Sequence, residues 1–165
     1  MIITKELHDK VTNKINECTV KILGKENSLV IPVTYRTDMH VVAGTAWLGE
    51  KRIEFNTQLL LSNEEDFFAQ TIPHEVAHIL QIILYPHAKQ SHGPEWRRIM
   101  IRLGCHPHRT HNYDVSVCST MKRFNYSCSC KKALMLTQII HNKIQKGQNR
   151  SCSKCKSIVV YNLPE

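Results

Sequence analysis

The segment 74–78, His-Glu-Val-Ala-His, most constrains the chain, because its pattern H-E-x-x-H has chemical meaning only on a helix. Residues four apart lie on one helix face, about 5–6 Å between Cβ atoms, so His74 and His78 can reach one metal ion. Zinc with three protein ligands and one open position acidifies its bound water and polarises a carbonyl group, and a neighbouring carboxylate can transfer the proton. The motif therefore predicts a hydrolytic zinc site with Glu75 as general base.

The residues around the motif favour a buried helix. Segment 62–65, Ser-Asn-Glu-Glu, has the capping-box pattern and predicts a helix from there through about Tyr85. Apolar side chains flank the motif on both sides, and Pro73 should kink this helix or cost it one backbone hydrogen bond. The alternative is that His74 and His78 pack in the core without a metal; the helical context favours the metal site.

A third ligand is required, and spacing excludes one class of zinc protease. The metzincin pattern needs glycine at position 81 and histidine at 84, where this chain has Gln81 and Leu84. His92 stands out because it directly precedes a predicted helix start, where packing of the following helix can fix its side chain. The remaining candidates are His87, Glu95, His106, His108 and His111.

The other patterns predict an α+β fold. Apolar residues spaced by three to four predict a helix over 5–23, and another helix follows Gly93-Pro94 and ends at Gly104. Segments 29–35, 44–48 and 52–56 are typical of strands, and their short connections predict a small, mostly antiparallel sheet. Segment 105–120 is predicted to be loop, and the tail from 124 to form short strands.

Length and hydropathy favour an intracellular, soluble protein. With 165 residues, of which 42% are hydrophobic, the chain can form one compact domain with a small appendage. It has no apolar run of the roughly 18–20 residues that a membrane-spanning helix needs, and its first residues lack the pattern of a secretory signal. We therefore expect no membrane association.

The excess positive charge is confined to the end of the chain. Residues 1–120 contain 13 basic and 13 acidic residues, whereas residues 121–165 contain nine basic residues and one acid. A concentrated positive field favours nucleic acid, although a solvated, solubilising face would have the same composition. The candidate nucleic-acid contacts are Lys122, Arg123, Lys131, Lys132, Lys143, Lys146 and Arg150.

Four of the seven cysteines form two close pairs in this basic tail. Without a secretory signal, such pairs predict metal ligands rather than disulfides, and a four-ligand zinc site would stabilise a tail too small for a large core. Because Cys-x-Cys is less regular than Cys-x2-Cys, histidine could replace one cysteine; the alternative is reduced surface thiols. Four ligands are expected from five candidates: Cys128, Cys130, His141, Cys152 and Cys155.

These motifs together resemble the SprT family, the bacterial and phage relatives of Spartan, which are zinc metalloproteases linked to proteolysis of DNA-bound proteins. The resemblance covers most of the chain and follows its order. The matching segments are 43–48 (Ala-Gly-Thr-Ala-Trp-Leu), 73–78, 91–96 (Ser-His-Gly-Pro-Glu-Trp), 109–111, 126–130, 136–137 with 141–142, and the final Cys-x2-Cys. The chain departs from the bacterial pattern at Ile139 and Ile140, where basic residues are usual, and at Lys156, where glycine is usual.

The resemblance implies a ligand set and a fold. It makes His74, His78 and His92 the ligands of a catalytic zinc ion and Glu75 the acid and base. It implies a compact zincin-like metalloprotease domain over residues 1–120, followed by a basic β zinc ribbon with a structural zinc over residues 121–165.

It also implies a function, cleavage of DNA-bound proteins in DNA–protein crosslink repair, in the cytoplasm of a bacterium or of a phage host. The partners would be single-stranded or duplex DNA and the proteins bound to it. We expect substrate to lie extended along an exposed strand near 45–56, with His111, Arg109 or Tyr113 as oxyanion partner. The alternative is a nucleic-acid-binding zinc protein without catalytic activity.

Overall fold

The computed structural model describes residues 2–118, 123–130 and 133–162. The chain consists of two compact units, Met1–Cys118 and Ser119–Glu165. The helices are α1 Lys5–Leu23, α2 Thr57–Ser62, α3 Glu64–Asp66, α4 Ile72–Leu84, α5 Pro94–Leu103 and α6 Gln138–Gln145. The strands are β1 Val33–Arg36, β2 Gly44–Trp47, β3 Arg52–Asn56, β4 Arg123–Ser127, β5 Leu134–Thr137 and β6 Val160–Tyr161. Within the described ranges, no helix is long and apolar enough to cross a membrane.

The first unit contains a three-stranded mixed sheet in the order β1-β3-β2. Strand β3 is central and pairs in parallel with β1 and antiparallel with β2. The expectation of a mostly antiparallel sheet is therefore wrong for the β1–β3 pair. A short connection predicts antiparallel pairing only for two strands that follow each other in the chain. Since β2 lies between β1 and β3 in the chain, β1 and β3 are joined by a crossover connection and can pair in parallel.

Helix α1 confirms the helix predicted over 5–23. The Thr4 hydroxyl accepts a hydrogen bond from the Leu7 N–H at 3.2 Å, which caps the first turn. One face of the helix is buried in the core of the first unit through Leu7, Val11, Ile15, Cys18 and Ile22.

The helix predicted from Ser62 begins differently. Asn56 caps α2 at Thr57, because its Oδ1 accepts the N–H groups of Gln58 and Leu59 at 3.0 and 3.3 Å. Segment 62–65 is thus the end of one helix and the beginning of the next, and its capping-box residues provide no side-chain cap.

A five-residue π-helical turn, Phe67–Thr71, lies between α3 and α4. Pro73 lies in the first turn of α4, directly after this π-helical turn. The helix irregularity that the sequence predicts at Pro73 is therefore this widened turn, which precedes the proline.

Helix α4 is the central helix of the first unit and packs against α1, α5 and β2. It is buried on nearly every side, as expected for a helix with such a high apolar content. Its buried residues are Ile72, Pro73, Glu75, Val76, Ala77, Ile79, Leu80 and Gln81. Helix α5 begins after Gly93 and ends at Gly104, whose φ of 84° is left-handed, as the sequence predicts.

The second unit is a small sheet with a helix. Strand β4 is central and pairs antiparallel with β5 and β6 around a core of Tyr126, Cys152 and Val159. The short strands predicted for the tail are present, but the sequence pattern did not predict α6, which follows β5 directly. This helix has eight residues, of which few are apolar. Its hydrophobic pattern is too short for periodicity to distinguish a helix from a strand.

Candidate metal centre

Three imidazoles converge at one place in the first unit. His74 and His78 lie one turn apart on α4, and His92 lies in the turn directly before α5. One ring nitrogen of each lies within 4.8 Å of the others, and the Nε2 atoms of His74 and His92 are 3.1 Å apart. Tetrahedral zinc, with Zn–N distances of about 2.0–2.1 Å, separates its nitrogen ligands by about 3.3 Å. The donor set and its spacing are therefore consistent with zinc.

Backbone carbonyl groups hold two of these rings in orientation. His74 donates a ring N–H to the carbonyl of His108, and His78 donates one to the carbonyl of Ser91. Such partners fix the tautomer and turn the other ring nitrogen toward a metal.

Trp96 packs against all three imidazoles. Its ring centroid lies 4.8 Å from that of His74, 5.6 Å from that of His78 and 4.7 Å from that of His92, and the residue is fully buried. The indole N–H donates to the backbone carbonyl of His74 at 3.4 Å. Helix α5 thereby couples the position of His92 to that of α4.

The three histidines are held in the neutral form that binds metal. Burial lowers the pKa of His74 to about 4, with a smaller effect from the neighbouring His92. Burial likewise lowers the pKa of His78 to about 3, and it lowers the pKa of His92 together with Arg109 and Arg97. Neutral imidazoles at ordinary pH need not lose a proton before they coordinate a cation.

Glu75 lies beside the histidines, between α4 and the sheet. The residue is only 7% exposed, and the backbone N–H of Ala46 in β2 donates to its carboxyl group. Burial raises the pKa of this carboxyl to about 8, since the low dielectric disfavours its charged form. A divalent cation at the histidines would favour the ionised form again.

The site opens into a cleft with one free strand edge. The cleft is lined by residues 41–46, by Glu75 and the histidines, and by the loop 106–113. Of the segment 45–56, only β2 lies at an edge of the sheet, because β3 has a strand on each side. Within the segment 45–56, β2 is therefore the strand to which an extended substrate could be added.

The remaining candidate ligands lie outside the histidine cluster. Among the residues that the structure describes, His87, Glu95, His106, His108 and His111 belong to neither group of converging ligands. His111 has both ring nitrogens engaged, with Nε2 donating to the Val41 carbonyl at 3.0 Å and Nδ1 accepting from the Tyr113 N–H at 3.2 Å. The Tyr113 hydroxyl bonds the Thr71 hydroxyl at 2.9 Å, and Arg109 lines the cleft.

Four thiols converge in the second unit. The sulfur atoms of Cys128, Cys130, Cys152 and Cys155 all lie within 4.8 Å of one another. A hydrogen bond with the Ser157 hydroxyl, together with Cys130, lowers the pKa of Cys155 to about 5, which favours its thiolate. Four soft donors at this spacing are consistent with a closed zinc site.

His141, the fifth candidate, lies elsewhere in this unit. Its Nδ1 lies 3.0 Å from the Tyr126 hydroxyl, and its ring stacks on Phe124 with centroids 3.6 Å apart. The structure therefore brings the four cysteines together without it.

Comparison with known proteins places the first unit in a family. The sequence model described as the SprT-like family matches residues 5–119. The chain belongs to the SprT-like family. Protein SprT of Pseudomonas putida is 38% identical over 122 residues, which cover 73% of this chain and 74% of that protein. Protein SprT of Pseudomonas entomophila is 37% identical with the same coverage, and no solved structure matches the chain significantly.

The SprT-like match contains His74, His78 and His92 and ends before the four cysteines of the second unit. Arg123, Lys143, Lys146 and Arg150 are exposed there. The described parts of this unit, 123–130 and 133–162, contain no acidic residue. The other candidate nucleic-acid contacts, Lys122, Lys131 and Lys132, lie outside the described residues.

Sequence reasoning missed the groups that orient the SprT-like site. These are the carbonyls of His108 and Ser91 and the N–H of Ala46, all of them backbone atoms. Every residue type carries such groups, so no residue identity could have pointed to them. The sequence predicts that the packing of α5 fixes the side chain of His92, but the contact of Trp96 with all three imidazoles depends on how α4 and α5 pack.

Proposed function

We propose that this SprT-like protein is a zinc-dependent endopeptidase that cleaves DNA-bound proteins, with its basic tail as the DNA-binding module. The observation that carries the proposal is that three neutral imidazoles and a buried carboxyl group face one cleft beside a free strand edge. A purely structural metal site would have no use for the carboxyl of Glu75.

His74, His78 and His92 would hold the catalytic zinc ion in a zincin-like site. When bound, zinc would supply a Lewis acid that acidifies water and polarises the scissile carbonyl group. Glu75 would accept the proton of the attacking water and later deliver it to the leaving amine. The Ala46 N–H holds that carboxyl in place, and Trp96 excludes water from behind the imidazoles.

The peptide would bind as an added strand on β2. The Asn56 N–H donates to the Ala43 carbonyl at 2.9 Å, so the alternation of an antiparallel ladder directs the N–H and C=O groups of Gly44 outward. Recognition through backbone groups is tolerant of sequence, which suits an enzyme whose substrates share only their attachment to DNA.

The second unit would use four thiolates to bind a structural zinc ion and its basic residues to bind DNA. Its described residues include no acid to offset Arg123, Lys143, Lys146 and Arg150. Attachment to the peptidase in one chain raises the local concentration of DNA-bound proteins at the cleft, so selectivity would come from recruitment. The proposed site of action is the DNA-containing cytoplasm of a bacterium or of a phage host.

The test uses the zinc-loaded full chain, a DNA-binding protein as substrate, and reactions with single-stranded DNA, duplex DNA or neither. We expect cleavage that DNA stimulates and that a chelator or Glu75→Gln abolishes. Glu65→Gln, at an exposed carboxylate of α3, is the matched control and should remain active. DNA binding without cleavage under every condition would instead support a non-catalytic nucleic-acid-binding zinc protein.

A separate measurement tests the tail. Replacing Arg123, Lys143, Lys146 and Arg150 by glutamate should weaken DNA binding strongly and flatten its salt dependence, because fewer counterions are released. Cleavage of a DNA-free protein substrate should be unchanged. An equal number of lysine-to-glutamate changes on α1 serves as the charge-matched control.

A further inference from the structure

Gly44 in β2 lies directly against the side chain of Glu75 on α4. A Cβ atom built on Gly44 would lie 2.7 Å from the Cγ of Glu75 and 3.0 Å from both its Cδ and its Oε1. Carbon atoms in van der Waals contact are about 3.5–4.0 Å apart, so no larger residue fits here unless Glu75 moves.

The backbone does not explain this glycine. Its φ lies outside the left-handed region, unlike those of Gly24, Gly104 and Gly147. It lies within a regular strand and pairs with Phe55 of β3, a position where glycine costs stability relative to residues with side chains. The absence of a side chain at Gly44 therefore leaves the space in which the side chain of Glu75 lies.

Two contacts from β2 define that space. Gly44 leaves room for the side chain of Glu75, and two residues further along the strand the Ala46 N–H donates to its carboxyl group. Residues two apart face the same side of a strand edge, so the two contacts act together on one carboxyl group. A shift forced by a Cβ at Gly44 would also strain the hydrogen bond from Ala46.

We propose that Gly44 is a positioning residue, which allows Glu75 to lie against β2 with its carboxyl group in the cleft that the three histidines line. This inference rests on the proposed function for its catalytic meaning. The contact between Gly44 and Glu75 can be tested without reference to catalysis.

The clash would involve a flexible side chain rather than backbone, so Gly44→Ala should displace Glu75 and leave the fold intact. We expect zinc content to be unchanged, KM to be nearly unchanged and kcat to fall about 100-fold, the effect of misplacing a catalytic group by about 1 Å. Gly49→Ala is the matched control, because a Cβ on Gly49 in the turn after β2 meets nothing within 4 Å.

A double-mutant cycle on thermal unfolding of the metal-free protein separates positioning from a general effect on the strand. Gly44→Ala should lower the melting temperature by on the order of 5 °C when Glu75 is present, and by much less in Glu75→Ala, where the clashing atoms are absent. If the single variant fails to fold, the double variant should fold.

Two results would overturn the proposal. One is a Gly44→Ala protein with wild-type kcat and stability; the other is an equal loss of stability with and without the Glu75 side chain. If the wild-type protein cleaves no protein at all, the proposed function fails, while the unfolding cycle still decides whether Gly44 positions Glu75.

Discussion

The indole N–H of Trp96 donates to the backbone carbonyl of His74, at 3.4 Å, and so joins α5 to the first turn of the helix that carries two of the converging histidines. His92 lies two residues before the first residue of α5, so this contact also helps to set its distance from His74. One buried aromatic residue thus packs against all three converging histidines.

Replacing Trp96 should weaken metal binding without removing a ligand. Trp96→Phe keeps an aromatic ring against the imidazoles and loses the hydrogen bond, so we expect zinc affinity to fall about tenfold, as for other partners of metal ligands. Competition with a chromogenic chelator measures this change. Trp47→Phe, at a tryptophan that is 41% exposed, is the control. An unchanged affinity in Trp96→Phe would show that the indole does not position the ligands.

The four-cysteine cluster predicts a second, independent zinc ion. Cys155 is exposed, so Cys155→Ser removes a thiolate without a packing defect. We expect the zinc content to fall from about two ions per chain to about one, because a four-thiolate site loses most of its affinity for zinc when one of its donors is removed. The histidine site should keep its zinc, and Cys105→Ser should keep both ions. Metal analysis of the purified variants measures each result.

His141 gives a prediction that separates the two ligand sets considered from sequence. His141→Ala should leave the zinc content unchanged, since the ring contacts Phe124 and Tyr126 rather than the thiols. It should lower the unfolding free energy of the second unit by about 1–3 kcal/mol, through the lost hydrogen bond and ring stacking. Loss of one zinc ion from this variant would instead make His141 a ligand.

The buried carboxyl of Glu75 predicts a pH-dependent stability of the metal-free protein. Its pKa is raised from 4.5 to about 8 in the folded state. Between these values the folded protein holds a proton that the unfolded chain has released, so this carboxyl lowers stability as the pH rises. Glu75→Gln removes the effect, and its stability relative to wild type should grow from about pH 5 to about pH 8.

The histidines act in the opposite direction but do not disturb this comparison. Their lowered pKa values make the unfolded chain bind more protons, so the stability that they confer is lost as the pH falls from 6.5 toward about 4 for His74 and about 3 for His78. Both histidines are present in both proteins, so their contribution cancels in the difference. Urea unfolding at about pH 5 and about pH 8 measures the difference in stability between Glu75→Gln and wild type. A difference that does not grow with pH would contradict the burial of a protonated Glu75.

The local patterns of the chain predicted much of the first unit. The periodicity of 5–23, the glycine and proline around α5 and the extent of β3 all agree with the structure. The capping-box pattern at 62–65 failed because Asn56, six residues earlier, satisfies the first N–H groups of an earlier helix. The prediction of a mostly antiparallel sheet failed for β1 and β3, because pairing across an intervening strand depends on the tertiary fold.

The order of residues along the chain limits which chemical groups this protein can use. The spacing of His74 and His78 requires only the geometry of a helix, and the pairing of the cysteines along the chain limits which of them can share an ion. Which of these groups come together depends on the packing of helices and strands. His92 reaches α4 through the packing of α5, Gly44 approaches Glu75 through the packing of β2, and His141 turns to Phe124 instead of the thiols. These contacts join residues distant in the chain, and packing energy rather than local conformational preference selects them.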